Sequence, residues 1–376
     1  MKTLSDEQIY RNLQLHLDNF PIGFPATKSG VEIEILKFFF TPLEAMIASC
    51  LNLASKSPEK VQKRLKGRFQ VELPLDELTS YLHKMFMNGC IERSGKEDSP
   101  RYSSAMLAIG MFEYHVDHLT KEFVENMHKY FDEAFGDEFF RTSLPQLRTS
   151  PHAKAIVPEH HIATYDDMRT FVQNTPKTIQ VANCVCKQGE ALLGKPCKQT
   201  DNYEICLIFG SKSYAVRNQA REISKEECLQ ILDEAEEKSL VLQPGNSIEP
   251  HCICICCGCC CGVLTTAKKY PNPAELFATN YFAEIVSEQC IGCGICVNRC
   301  QMEAIRLENE IARIDLDRCI GCGLCVTKCP SNAIKLIKKE KQTVPPRTAA
   351  MLYMNILKEK FGKKKMIMKM LKLLLG

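Results

Sequence analysis

The stretch Cys290-Ile-Gly-Cys293-Gly-Ile-Cys296-Val-Asn-Arg-Cys300 returns 29 residues later as Cys319-Ile-Gly-Cys322-Gly-Leu-Cys325-Val-Thr-Lys-Cys329-Pro330. Aligned over sixteen residues, 290–305 and 319–334 share ten identities, which marks an internal duplication and not a chance crowding of cysteines. Three thiols on one tight loop require the backbone to turn sharply between them. Gly292, Gly294, Gly321 and Gly323 supply that freedom, because glycine enters left-handed conformations at little steric cost. Between the runs, Ala304-Ile-Arg-Leu-Glu308 and Ile311-Ala-Arg-Ile-Asp315 alternate apolar and charged residues around Asn309-Glu310. That pattern predicts a β-hairpin with one buried face.

The two runs resemble the bacterial-type two-cluster ferredoxins, in which C-x2-C-x2-C-x3-C binds [4Fe–4S] cubanes and the fourth cysteine of each run serves the other cluster. The resemblance implies one cluster on Cys290, Cys293, Cys296 and Cys329, and another on Cys319, Cys322, Cys325 and Cys300. Gln301 departs from the family, which usually has proline there, as at Pro330; the departure bears on the tuning of that cluster more than on its presence. Disulfides are disfavoured: Met1-Lys-Thr-Leu-Ser-Asp-Glu-Gln has no charged-then-apolar signal pattern, so a reducing cytoplasm is expected. Zinc sites use separated C-x2-C pairs, whereas triplet-plus-one runs match cubanes.

With 376 residues the chain can bury two or three cores of ordinary domain size, and a formal charge of +3 with 25% charged residues describes an ordinary soluble protein. The anomaly is 22 cysteines, twenty of them at or after Cys184. Such a thiol load suits an anaerobic cytoplasm, since exposed clusters and thiolates oxidise. No run approaches the ~20 apolar residues that span a bilayer.

The fold class read from the sequence is α+β. Residues 1–106 form a helical, winged-helix-like domain. It starts with a helix over 6–19; later Val31-Glu-Ile-Glu-Ile-Leu36 alternates into Phe38-Phe-Phe40. Thr41-Pro42, Ser57-Pro58 and Pro74-Leu-Asp76-Glu77 open three helices, the third ending near Gly89. Cys90-Ile-Glu-Arg93, a Ser94-Gly95 turn and 102–106 then make a two-stranded wing. Three short helices and a hairpin resemble a winged-helix domain. Its third helix would be the reader of a nucleic acid, yet its charges are Asp76, Glu77 and Lys84, which give no basic face for phosphate. Lys60, Lys63, Arg64, Lys66 and Arg68 read as a solvated face. Nucleic acid is therefore not the expected partner.

Residues 107–177 read as a helical connector, with Val116, Leu119, Phe123, Met127 and Phe131 at helical spacing across 114–135. His115, His118, His128, His160 and His161 follow no ligand spacing and read as packed or surface histidines.

A cysteine-rich α/β region spans 178–279. A strand over 178–184 leads to Cys184, Cys186, Cys197 and Cys206. Gly189-Glu-Ala-Leu-Leu-Gly194-Lys195-Pro196 matches a phosphate loop except at its last position, where proline has no hydroxyl for magnesium. Ser224-Lys-Glu-Glu227 opens a capped helix to about 237, and Leu240-Val-Leu242 is strand-like. Then come seven cysteines in the ten residues 252–261. They lie on every face of any regular structure, so they are not all neutral core thiols. Four ligands drawn from Cys184, Cys186, Cys197, Cys206, Cys254, Cys256, Cys257, Cys259 and Cys260 are expected to hold at least one further iron–sulfur cluster; zinc or redox-active thiols are the competing accounts. The combination, ahead of a two-cluster domain, resembles iron–sulfur proteins of anaerobic microbes. Cys50, Cys90 and Cys228 read as packed thiols.

Residues 280–340 make the two-cluster domain and 341–376 a basic tail with helices over 351–361 and 363–375. In the second of these, Lys363, Lys364, Lys365, Lys369 and Lys372 stand beside Met366, Ile367, Met370, Leu371, Leu373 and Leu374. Such a helix packs on its own domain, docks on an acidic partner or makes a peripheral membrane contact. No nucleophile with a positioned base stands out, so bound iron would carry the chemistry. The expected protein is an electron carrier or the redox subunit of an oxidoreductase, with a partner redox protein. The alternatives are a redox-sensing winged-helix regulator and a reductase or reductive activator whose upstream cluster is catalytic.

Overall fold

The computed structural model describes residues 4–156 and 165–375, with side chains as far as residue 362. Two compact units emerge: residues 1–142 with 212–219 and 354–376, and residues 143–211 with 220–353. His160 and His161 lie outside the described residues.

The first unit runs through α1 (Asp6–Leu17), α2 (Val31–Phe39), α3 (Pro42–Ala48), α4 (Pro58–Phe69), α5 (Leu75–Met87), the antiparallel strands β1 (Ile91–Gly95) and β2 (Pro100–Ser104), α6 (Lys121–Tyr130) and α7 (Gly136–Phe139). Local chemistry starts the helices where expected. Ser5 with Gln8, and Thr41 with Glu44, close capping boxes, and Pro42 and Pro58 stand in first turns.

Two sequence expectations change. Val31–Leu36 alternates with period two, yet it is helical, because Val31, Ile35, Leu36 and Phe39 share a buried helical stripe. Its Glu32 stays buried by pairing with Arg11 at 2.9 Å. The helix expected over 114–135 loses its first turns: it starts at Lys121 as α6 and continues through a π turn (Phe131–Phe135) into α7. Asp117 has φ 69, which breaks the turn, and Thr120 caps the new start by accepting from the Phe123 amide at 3.2 Å. His115 is a packed histidine: its Nδ1 meets the Met111 carbonyl at 2.7 Å, and burial lowers its pKa to about 4.

The second unit continues with α8 (Met168–Asn174), β3 (Ile179–Asn183), α9 (Val185–Leu192) and β4 (Glu204–Phe209). The short α10 (Ser213–Val216) belongs to the first unit, after which β5 (Ala220–Ile223), α11 (Lys225–Glu237), β6 (Val241–Pro244) and β7 (Cys252–Cys256) complete a five-stranded sheet of order β5-β3-β4-β7-β6. Every pairing is antiparallel, so this region is α+β and not α/β in the strict sense. One sheet face buries Val181, Leu207, Ile253 and Ile255 with Val172 of α8 and Ile231, Leu232 and Ala235 of α11. Gly189 lies inside α9, which removes the phosphate-loop geometry.

The chain then passes through α12 (Gly262–Ala267), β8 (Tyr281–Ile285), α13 (Ile295–Arg299), β9 (Ile305–Glu308), β10 (Ile311–Ile314) and β11 (Ile334–Lys338), and ends in α14 (Ala349–Leu375). That last helix breaks at Gly362, between the two tail helices read from the sequence. No described helix is long and apolar enough to cross a membrane.

One buried ion pair ties α13 to α11. Arg299 donates to Glu236 Oε1 at 3.0 Å, to the Glu236 carbonyl at 2.7 Å and to the Leu324 carbonyl at 2.7 Å. Replacing Arg299 by leucine takes from the buried Glu236 its closest cation and leaves it Lys154 at 3.4 Å and the Thr327 hydroxyl, and the expected loss is about 3 kcal/mol in anaerobic denaturant unfolding. The double variant Arg299→Leu/Glu236→Leu is expected to recover most of that loss, since no buried charge remains.

Candidate metal centres

The duplicated cysteine runs sit between two hairpin-like pairs. β8 pairs with β11 and β9 with β10, so the strand before each run pairs with the strand after the other. The hairpin predicted between the runs is present, and Asn309 and Glu310 turn it with φ 51 and 61. All four glycines of the runs are left-handed: Gly292 at φ 67, Gly294 at 72, Gly321 at 66 and Gly323 at 78. At three of them there is also no room for a side chain: a Cβ on Gly323 would lie 2.5 Å from Ala155 Cβ. A Cβ on Gly292 would lie 2.5 Å from the Glu310 carbonyl oxygen, and one on Gly321 2.2 Å from that of Tyr281.

Cys300, Cys319, Cys322 and Cys325 line one cavity, the quartet that the crossed ligand pattern requires. Burial pushes the Cys322 thiol up to about 12, with Cys300 and Cys319 adding to it. Cys290 and Cys293 adjoin Cys296, and Cys329 packs on the same apolar cluster as Cys290 and Cys296. The two groups meet where Cys325 approaches Cys296. Backbone amides point at the sulfurs symmetrically: Ala312 N–H donates to Cys290 Sγ at 3.4 Å and Ala283 N–H to Cys319 Sγ at 3.4 Å. Ala304 N–H donates to Cys300 Sγ at 3.2 Å. Hydrogen bonds of this kind favour thiolate and set cluster potential.

Upstream, the structure gathers Cys197, Cys257, Cys259 and Cys260, whose sulfurs all lie within 4.8 Å of one another. The separations are 3.6 Å for Cys197–Cys257, 3.9 Å for Cys197–Cys259, 3.5 Å for Cys257–Cys259 and 3.6 Å for Cys259–Cys260. A tetrahedral ion with metal–sulfur bonds of about 2.3 Å holds its sulfurs roughly 3.8 Å apart, so these thiols fit a single thiophilic ion as they stand. No histidine or carboxylate joins a group of this kind among the described residues.

Lys187, one position after Cys186 on α9, is 1% exposed, and its ammonium donates to Cys197 Sγ at 2.8 Å and Cys257 Sγ at 3.3 Å. Burial opposes its charge, yet Cys257 and Cys197 more than offset that, and its pKa moves up. Contact with Cys257 and Cys260, and with Lys187, draws the Cys197 thiol well down. Nothing in the sequence singled out this lysine, because a lone cation on a short helix reads as solvated.

The remaining upstream cysteines stand elsewhere. Cys206 is on β4 opposite Ala182, Cys252, Cys254 and Cys256 are on β7, and Cys184 and Cys186 are at the start of α9. Cys261, outside the nine candidates, caps α12. Cys50, Cys90 and Cys228 are buried, and burial raises their thiols to about 11, 12 and 12, as packed cysteines.

The tetrad loop docks on the first of the duplicated cysteine runs. Gln301 Oε1 accepts from the Gly258 amide at 2.7 Å, and a Cβ on Gly258 would lie 2.2 Å from the Gln301 carbonyl oxygen. The residue that departs from the ferredoxin pattern thus holds the upstream loop.

Residues 289–343 match the family described as a 4Fe-4S dicluster domain. No curated protein and no solved structure matches the chain. The C-terminal region therefore carries a ferredoxin-like domain, set within a larger cysteine-rich chain.

Proposed function

We propose that this dicluster protein relays low-potential electrons through two [4Fe–4S] clusters to or from a partner oxidoreductase, with a third, iron-containing centre on Cys197, Cys257, Cys259 and Cys260 extending the path upstream. The observation that carries the reading is the Gln301–Gly258 hydrogen bond of 2.7 Å, which joins the residue after Cys300 to the residue between Cys257 and Cys259. Sulfur ligands of two centres are thereby joined through one hydrogen bond from the Gly258 amide to the Gln301 side chain. Bound iron supplies the one-electron chemistry; the chain supplies thiolates, amide donors and burial, which set the potential.

Cys290, Cys293, Cys296 and Cys329 serve one cluster and Cys319, Cys322, Cys325 and Cys300 the other. Cys293 is exposed, which marks the first cluster as the side on which a partner docks. The anaerobic cytoplasm is the setting this chemistry fits, as twenty cysteines at or after Cys184 would otherwise oxidise.

Anaerobically purified full-length protein tests the reading by iron, zinc and acid-labile sulfide per chain, with electron paramagnetic resonance after reduction. More than about eight irons, with two interacting cubane signals, is the expected result. Eight irons and no other metal would remove the third centre, and eight irons with one zinc would make the tetrad structural.

A further inference from the structure

The pleat of β7 sorts the upstream thiols into two sets. Ile253 and Ile255 enter the apolar core under α8 and α11, so Cys252, Cys254 and Cys256 face the other side of the sheet. After the strand the doubled cysteines divide. Cys257 and Cys260 return to the core side and join the tetrad, whereas Cys256 and Cys261 do not.

These other thiols form a row of their own. The Cys261 sulfur contacts those of Cys186 and Cys256; Cys186 also touches Cys184, and Cys256 touches Cys254. Cys256 and Cys261 are buried, and Cys184, Cys186 and Cys254 half-buried. Among the described residues only the tetrad brings all its sulfurs within 4.8 Å. The row's sulfurs therefore do not all lie close enough together to share one ion.

We propose that Cys186, Cys256 and Cys261, with a fourth thiolate from Cys184 or Cys254 at the ends of the row, hold a second upstream iron–sulfur cluster, separate from the tetrad centre. The cysteine block 252–261 then serves two sites, each of its two outer doublets giving one sulfur to each. This assignment does not depend on which metal the tetrad binds.

The test loads the full-length chain with ferrous iron and sulfide under argon and counts iron, sulfide and zinc in three variants. Cys256→Ser/Cys261→Ser is expected to lose about four irons while keeping the tetrad metal and the dicluster signal. Cys257→Ser/Cys260→Ser is expected to lose the tetrad metal and keep those irons. In the quadruple variant the two losses add. Full iron in Cys256→Ser/Cys261→Ser overturns the proposal, as does a quadruple variant that loses no more than one of the doubles. Where the first double loses the dicluster signal as well, Cys186→Ser, remote in sequence from the block, reads the same site: a loss of about four irons supports the proposal and full retention overturns it. Full metal in Cys257→Ser/Cys260→Ser would instead remove the tetrad centre and leave this cluster standing.

Discussion

Replacing Gly321 by alanine is expected to remove the cluster on Cys319, Cys322, Cys325 and Cys300, with iron falling by about four atoms per chain. Two costs combine at this position. The φ of 66 places an alanine in the left-handed region, at roughly 1–2 kcal/mol. Its Cβ would also lie 2.2 Å from the Tyr281 carbonyl oxygen and 2.8 Å from Thr279 Oγ1. The first contact is backbone and cannot rotate away, so β8 must move. Ala283, two residues along β8, then carries its amide away from Cys319 Sγ, where it now sits at 3.4 Å. Gly294→Ala separates the two costs: its φ of 72 imposes the same strain, but the nearest atom to its Cβ is Leu307 Cδ1 at 3.6 Å. That variant should keep its full iron. Retention of both clusters in Gly321→Ala would show that β8 yields without disturbing the site.

The duplicated run was legible because its constraint is local: thiol spacing and left-handed glycines are both written within twelve residues. The hairpin between the runs was legible for the same reason, since alternation and a polar turn lie side by side. Legibility fell where partners are distant in sequence. Val31–Leu36 alternates as a strand does, and only the packing of Ile35, Leu36 and Phe39 in the unit's core makes it α2. In the block 252–261 the sequence gives seven ligands without saying which go together. The pleat decides that for Cys252, Cys254 and Cys256, because Ile253 and Ile255 fix the face; past the strand, Cys257 and Cys260 return to the core. Cys206 was a candidate by proximity along the chain, yet it stands between Ile205 and Leu207, both in the core, and so faces away from the tetrad. Gln301 was noticed as a missing proline; its hydrogen bond to Gly258 could not be, because 43 residues separate them.

Lys187→Met is expected to weaken metal binding at the tetrad by about 10–100-fold, the usual cost of removing a hydrogen-bond partner to a metal ligand. An ammonium that is 1% exposed persists only beside counter-charge, and the groups that supply it are Cys257, Cys197 and Cys184. Four thiolates around a divalent ion carry a net double negative charge, and Lys187 offsets half of it. Methionine fills a similar volume without charge, so the ion would be held by an uncompensated buried anion. The same substitution acts differently on metal-free protein, where the ammonium donates to Cys197 and Cys257 and helps hold the Cys197 thiol down: without it that thiol rises and no buried charge is left. Stability after chelation should therefore be unchanged or higher, because a buried charge has been replaced by an apolar side chain. Competition between the full-length protein and a chelator for cobalt(II), read through thiolate-to-cobalt charge-transfer absorption, measures the first effect, and denaturant unfolding of the chelated protein measures the second. Unchanged cobalt affinity with a less stable metal-free protein would make Lys187 a packing residue and the tetrad a set of reduced thiols. Weakened affinity with undiminished stability identifies the tetrad as an anionic metal site whose charge the fold had already arranged to balance.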